Sequence, residues 1–131
     1  MKLIIKLSLL LITVLILSCD STQNTDKGFL EGKITIGPLC PVETIPPKPE
    51  CQPTSETYKN WPVFVWTADK KNKVVLIEPD LNGNYKVDLP IGTYVVDLDM
   101  QHYFGKNLPA IVVISSNKTT VLEVSIDTGI R

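Results

Sequence analysis

The sequence predicts an all-β protein: one antiparallel β-sandwich of seven short strands, preceded by an N-terminal export segment. Three observations carry the prediction. Apolar and polar residues alternate with period two through most of residues 29–127. Gly, Pro and Asn clusters punctuate the alternation at short intervals. No window beyond the first nineteen residues carries a 3.6-residue apolar repeat.

Residues 1–18 read as a signal peptide. Lys2 and Lys6 give a positive start, Leu7 to Leu17 an apolar stretch, and Ser18 a small residue before Cys19. The apolar run is about half the ~20 residues that a spanning helix needs. "ILSC", residues 16–19, resembles a bacterial lipobox, which implies lipidation of Cys19 and cleavage in front of it. Two or more acyl chains, at roughly 0.8 kcal/mol per buried CH₂, hold a protein stably on a membrane. Residues 19–28, the lipidated cysteine and "DSTQNTDKG", form a flexible polar tether without a large apolar side chain. Loss of Lys2 and Lys6 leaves 11 basic residues against 14 acidic ones, a net charge of −3. That balance argues against nucleic acid as a partner. The cluster "DKKNK", residues 69–73, reads as a solvated hairpin tip.

Residues 29–131 suffice for one domain. In "FLEGKITI", Leu30, Ile34 and Ile36 share one face, with Glu31, Lys33 and Thr35 opposite. "PVFVWTA" is a strand that can face its residues either way. "KVVLIE" and "NYKVDL" follow, joined by a turn in which Asn82-Gly83 supplies backbone freedom. "GTYVVDLDM" is expected to face Tyr94, Val96, Leu98 and Met100 inward and Val95, Asp97 and Asp99 outward. "AIVVIS" and "TTVLEVSID" complete the set, the latter with Leu122, Val124 and Ile126 inward.

Residues 78–98, "EPDLNGNYKVDLPIGTYVVDL", resemble the signature of carboxypeptidase-regulatory-like domains. Asp80, Gly83, Tyr85, Leu89, Pro90, Gly92 and Tyr94 carry the likeness. The resemblance implies a transthyretin-like, immunoglobulin-like Greek-key sandwich. Gly37, Pro38, Cys40 to Glu43, Cys51 and the closing "DTGIR" resemble a group of such domains in bacterial secreted proteins. In carboxypeptidases this sandwich accompanies a zinc catalytic domain; nothing in this chain matches one, so no peptidase activity is implied.

An exported chain folds where thiols pair, and with Cys19 acylated, Cys40 and Cys51 remain as one expected disulfide. Zinc would ask for closely spaced cysteines or several histidines, and His102 is the single histidine. Closing this loop is worth roughly 3 kcal/mol in the chain-entropy model, less where prolines already stiffen the unfolded chain. Two roles stay open for the stretch between the first two strands. It is a brace for a long crossing, or a rigid recognition loop presenting Glu43, Lys48 and Glu50.

No nucleotide-binding loop, nucleophile elbow or zinc-binding His-Glu-x-x-His is present. Asp97 and Asp99 read as solvated carboxylates of one strand face, with a weak cation site or acid–base pair as the sharper alternatives. The resemblance implies that Val63, Val65 and Thr67 point inward, so that Phe64 and Trp66, with Trp61 nearby, are either covered by the stapled loop or exposed as a platform for a sugar or partner protein; with the opposite parity both rings lie in the core. Arg131 is either a solvated terminal arginine or pairs with an acidic group near the cysteine loop, with Glu43 the first candidate. The reading that unites these points is a non-enzymatic, cofactor-free, metal-free lipoprotein of the bacterial cell envelope. It is membrane-bound through its lipid, faces the periplasm or cell exterior, and serves structural or adhesive protein binding. A carbohydrate- or peptide-binding module built on Phe64, Trp66 and Trp61 is the alternative, and a small hydrolase using His102 with Asp99 the third.

Overall fold

A computed structural model describes residues 26–100, 104, 105 and 107–131. Cys19 and His102 lie outside the described residues, as do the expected signal peptide and most of the tether; Lys27 and Gly28, read as the end of the tether, instead open the first strand, paired with Pro90 and Leu89. Two sheets pack face to face. The first has the order β4-β1-β9-β6, built from β1 (Lys27–Gly37), β4 (Asn84–Pro90), β6 (Phe104–Gly105) and β9 (Val124–Asp127). Beside it β8 (Thr119–Val121) pairs with the first part of β1. The second sheet has the order β3-β2-β5-β7: β3 (Lys73–Leu76), β2 (Val63–Thr67), β5 (Gly92–Leu98) and β7 (Ala110–Ile114).

The alternation assigned from sequence survives in β1, β2 and β9 but not in β5, where Val95 and Asp97, expected outward, are buried beside Val96 and Leu98. Leu30, Ile34 and Ile36 of β1, Val63 and Val65 of β2, Val96 and Leu98 of β5, and Val124 and Ile126 of β9 all fall in one buried cluster. Each fully buried aliphatic side chain there contributes about 2 kcal/mol of transfer free energy. Tyr94 packs half-buried against the cluster, whereas Met100, expected inward, lies past the end of β5 and is exposed.

Seven strands become nine among the described residues. One addition is the two-residue β6, paired antiparallel with β9. The other comes from "TTVLEVSID", which breaks at Leu122 and Glu123 into β8 and β9. Both run parallel to β1, so the sheet is mixed rather than wholly antiparallel. Local packing explains the break. The Leu122 amide donates to the Glu31 carbonyl at 2.9 Å, and the Tyr85 hydroxyl donates to the Leu122 carbonyl at 2.7 Å. Position 32 has to be glycine here, because a Cβ would stand 1.9 Å from that carbonyl oxygen.

Turn chemistry explains the family-like motif. Gly83, at φ +84°, closes a turn in which Asp80 accepts from the amides of Asn82 and Asn84, each at 2.9 Å. The Tyr94 hydroxyl donates to the Pro90 carbonyl at 2.8 Å, tying the two ends of "PIGTY" together. Helix α1 (Ser55–Asn60) is absent from the sequence expectations, since six residues are too few to show a helical period. A capping box nucleates it: Thr57 N–H donates to the Thr54 hydroxyl, and Thr54 N–H donates to the Thr57 hydroxyl.

Candidate functional site

The outer face of the second sheet holds most of the residues that sequence singled out. Val63 and Val65 point into the core, so Phe64 and Trp66 project outward as expected. Their rings meet edge to face, centroids 6.1 Å apart. Strand register places Phe64 opposite Asp97, and Trp66 between Val95 on one side and Lys73 on the other.

Neither ring stands bare. Lys73 Nζ lies 4.5 Å from the Phe64 centroid and 5.4 Å from that of Trp66, and Lys70 Nζ lies 5.8 Å from Trp66. Lys70 pairs with Asp97, and Lys73 pairs with Asp99 at 2.5 Å. The Trp66 indole N–H donates to the Asp97 carbonyl at 3.4 Å. Aromatic rings and carboxylates thus share the same two ammonium groups.

This arrangement corrects one expectation and sharpens another. "DKKNK" is exposed throughout, as expected of a hairpin tip, but Lys70 and Lys73 also reach back over the sheet. Asp97 is not a solvated carboxylate but 1 % exposed, beneath Lys70, with an oxygen accepting from the Leu98 amide at 2.9 Å. A charge this deep needs its partner close. Asp99 remains exposed beside Lys73.

The β2–β3 hairpin aims Lys70. Its backbone adopts φ 58°, a left-handed conformation that a lysine takes at a cost of about 1 kcal/mol. Thr67 and Asp69 hold that shape. The Thr67 hydroxyl donates to Asp69 at 2.6 Å, the Lys71 amide donates to the same oxygen at 3.1 Å, and the Lys70 amide donates to the Thr67 carbonyl at 2.7 Å. The Thr67 hydroxyl, followed by the Lys71 amide, holds the Asp69 carboxyl below its ordinary range.

Below Trp66 is a shallow pocket of about 360 Å³, lined with Lys70, Leu98, Asp99 and Met100. Its chemistry suits weak polar contact more than catalysis, because each carboxylate already faces an ammonium group. Among the described residues no three His, Cys, Asp or Glu side chains group as metal ligands.

Trp61 does not join this face; it caps α1 and packs against the buried core. Cys40 and Cys51 are joined, with Cα atoms 5.5 Å apart. The loop they close does not blanket the aromatic rings, since residues 41–50 are exposed throughout and bury no side chain. Glu43 sits on that loop, exposed, and Arg131 does not seek it. The Arg131 guanidinium instead donates to both oxygens of Asp127, at 3.1 and 2.9 Å, and this bond raises its pKa. The C-terminal segment does meet the loop's base: the Thr128 amide donates to the Gly37 carbonyl at 3.2 Å, and its hydroxyl donates to that of Pro38.

One feature escaped the sequence reading. A groove of about 530 Å³ runs between α1 and the β3–β4 connection, with Tyr58, Leu76, Pro79 and Leu81 among its apolar walls and Lys59, Glu78 and Asp80 at its polar margin. Burial, and then the charge of Asp80, raise the Tyr58 hydroxyl pKa. The groove depends on α1, whose capping box was its one legible signal.

No family model matches the sequence, and no curated protein does. The likeness to carboxypeptidase-regulatory-like domains therefore rests on its motif residues alone. Solved structures resemble the fold. The minor pilin GBS52 of Streptococcus agalactiae aligns with a TM-score of 0.51 and 13 % identity, over 78 % of this chain and 44 % of that one. The TIE protein of Bacillus anthracis gives 0.49 and 16 %, over 77 % and 16 %. A DUF3823 family protein from Parabacteroides merdae gives 0.47 and 11 %, over 79 % and 47 %. The chain spans less than half the length of each of these structures. At such identities the likeness is one of fold: the domain is an all-β sandwich of the kind found in a pilin.

Proposed function

We propose that the chain is a lipid-anchored protein of the bacterial cell envelope, whose sandwich serves structural or adhesive protein binding and carries out no reaction. The observation that carries this reading is the Cys40–Cys51 bond across a loop that buries nothing. A loop with no burial to hold it depends on its covalent closure, and that closure persists where thiols oxidise. Such a setting agrees with the export segment, the lipobox-like "ILSC" and the polar tether. A sandwich shared with a minor pilin supports a structural or adhesive role.

The pocket beside Trp66 favours one further reading, a glycan- or peptide-binding platform. Lysines already occupying the space over Phe64 and Trp66 weigh against it, because a sugar ring stacks on a bare aromatic face. Intact mass of the natively produced, detergent-extracted protein tests the anchored reading, with thiol alkylation before and after reduction. Cleavage before Cys19, added acyl mass, and alkylation only after reduction are expected. An unprocessed chain with Cys40 and Cys51 freely alkylated would sink it.

A further inference from the structure

A lipid on Cys19 would hold one end of this domain close to its bilayer. The chain between Cys19 and Asp26 reaches at most about 25 Å when fully extended. β1 then runs from Lys27 to Gly37, and its eleven residues, at roughly 3.3 Å each, carry the chain about 33 Å. The Gly37 end cannot turn over onto the bilayer, because Lys27 would then stand farther away than the tether reaches. Only the Lys27 end or a flank of the sandwich can meet the lipid.

Three turns gather at the Lys27 end. Ile91 N–H donates to the Asp26 carbonyl at 3.1 Å, and Asn117 N–H donates to the Lys27 carbonyl at 2.8 Å. The hairpin tip 68–72 follows Thr67, which pairs with Tyr94. Ile91 is 50 % exposed at the tip of its turn, whose shape is held by the Tyr94 hydroxyl on the Pro90 carbonyl. Charge divides the two ends. Lys27, Lys70, Lys71 and Lys118 stand here against Asp26 and Asp69. Lys70 is paired with Asp97, and Asp69 is bound by the Thr67 hydroxyl and the Lys71 amide, whereas Lys27, Lys71 and Lys118 are exposed. One step further in, Lys86 and Asp88 of β4 offset each other. Among the described residues, the segments 38–62, 77–83, 99–100 and 127–131 at the other end hold seven acidic residues against three basic ones, with Lys106 following β6 in the chain.

We infer that the Lys27 end rests on the bilayer surface, with Ile91 entering the interface and Lys27, Lys71 and Lys118 lying against the phosphates of anionic lipids. The inference rests on the anchored reading above. The tether itself delivers this surface to the membrane, so a weak contact suffices at the high effective concentration that anchoring gives. The Ile91 turn is preformed and loses little freedom on docking. The potential of an anionic surface reaches about 8 Å at physiological salt, so it acts on the lysines and not on the acidic end. Docked in this way, the domain presents the stapled loop and the groove beside α1 away from the membrane.

The test puts the full lipidated protein into vesicles of phosphatidylcholine alone and into vesicles with about one-third phosphatidylglycerol. A fluorophore is carried on Thr93→Cys, beside Ile91, or on Ile45→Cys in the stapled loop, and a quencher is attached to the lipid headgroups. Tethering alone keeps position 93 the nearer one, so the dependence of its quenching on lipid, charge and Ile91 decides. Quenching at position 93 is expected to be at least about threefold stronger in the anionic vesicles, and to fall to the neutral level in about 1 M salt. Ile91→Asp, and Lys71→Glu combined with Lys118→Glu, should each lower it likewise, while position 45 stays unquenched throughout. Equal quenching in both lipids, or quenching unmoved by these substitutions and by salt, overturns the inference alone. A natively produced chain without acyl mass sinks the anchored reading, and the inference with it.

Discussion

Two irregular segments stand at opposite ends of the sandwich and are held by different forces. The loop 38–53 leaves β1 at Gly37, buries no side chain from 41 to 50, and is closed by a covalent bond. The hairpin tip 68–72 lies at the other end, where Thr67 faces Tyr94 near the start of β5. It has no covalent help, and Lys70 at the tip, with Lys73 just after it, binds the sheet through two aromatic rings and two aspartates. The contrast follows from what each segment can reach. A chain projecting into solvent finds no partner strong enough to offset its ordering entropy, so it is restrained through the unfolded state. A hairpin lying along a sheet face can use the side chains already there.

The largest expected effect breaks the first half of that contrast. Replacing Cys40 and Cys51 together by serine should lower unfolding stability by about 2.5 kcal/mol in urea titration, with the core strands unchanged. A loss several times larger would mean that the loop is part of the core after all. Next comes Lys70→Gln, which leaves Asp97 buried without its ammonium. Because the Lys70 side chain is 45 % exposed, the loss should be moderate, about 1.5 kcal/mol. Combining the loop and hairpin changes should give the sum within about 0.5 kcal/mol, since the segments share no partner.

Much of this fold was legible in the residues. The family-like pattern oriented Val63 and Val65 of β2 correctly, and Asn82-Gly83 and "LPIGT" placed two turns. The lysine cover was not legible. Its pairings cross 27 and 26 residues of sequence, and alternation alone assigns Asp97 to solvent without showing that Lys70 lies above it. The split of the last strand was hidden likewise, because Gly32 and Tyr85, which cause it, lie far from Leu122 in the chain.

Alkaline pH offers a finer test of how the sheets are tied. Burial, with a lesser contribution from Glu123, raises the Tyr85 phenol well above its ordinary pKa of 10.0. Stability from this group is complete below that value and is lost as pH rises through the folded pKa, at most about 1.4 kcal/mol per pH unit. Tyr85→Phe should flatten the fall in urea stability above about pH 10, while also losing the bond to Leu122. Smallest of all is Arg131→Ala. Its guanidinium is exposed and its pair with Asp127 is local, so the melting temperature should stay unchanged within error.

Hydrogen exchange, followed peptide by peptide before and after reduction, tests the central contrast most directly. Reduction should speed exchange at Cys51 and Gln52, whose amides donate to the Lys48 and Pro49 carbonyls, and leave Thr67, Lys70 and Asn72 of the hairpin unchanged. A loop that keeps its protection without the disulfide, or a hairpin that loosens with it, would contradict the account.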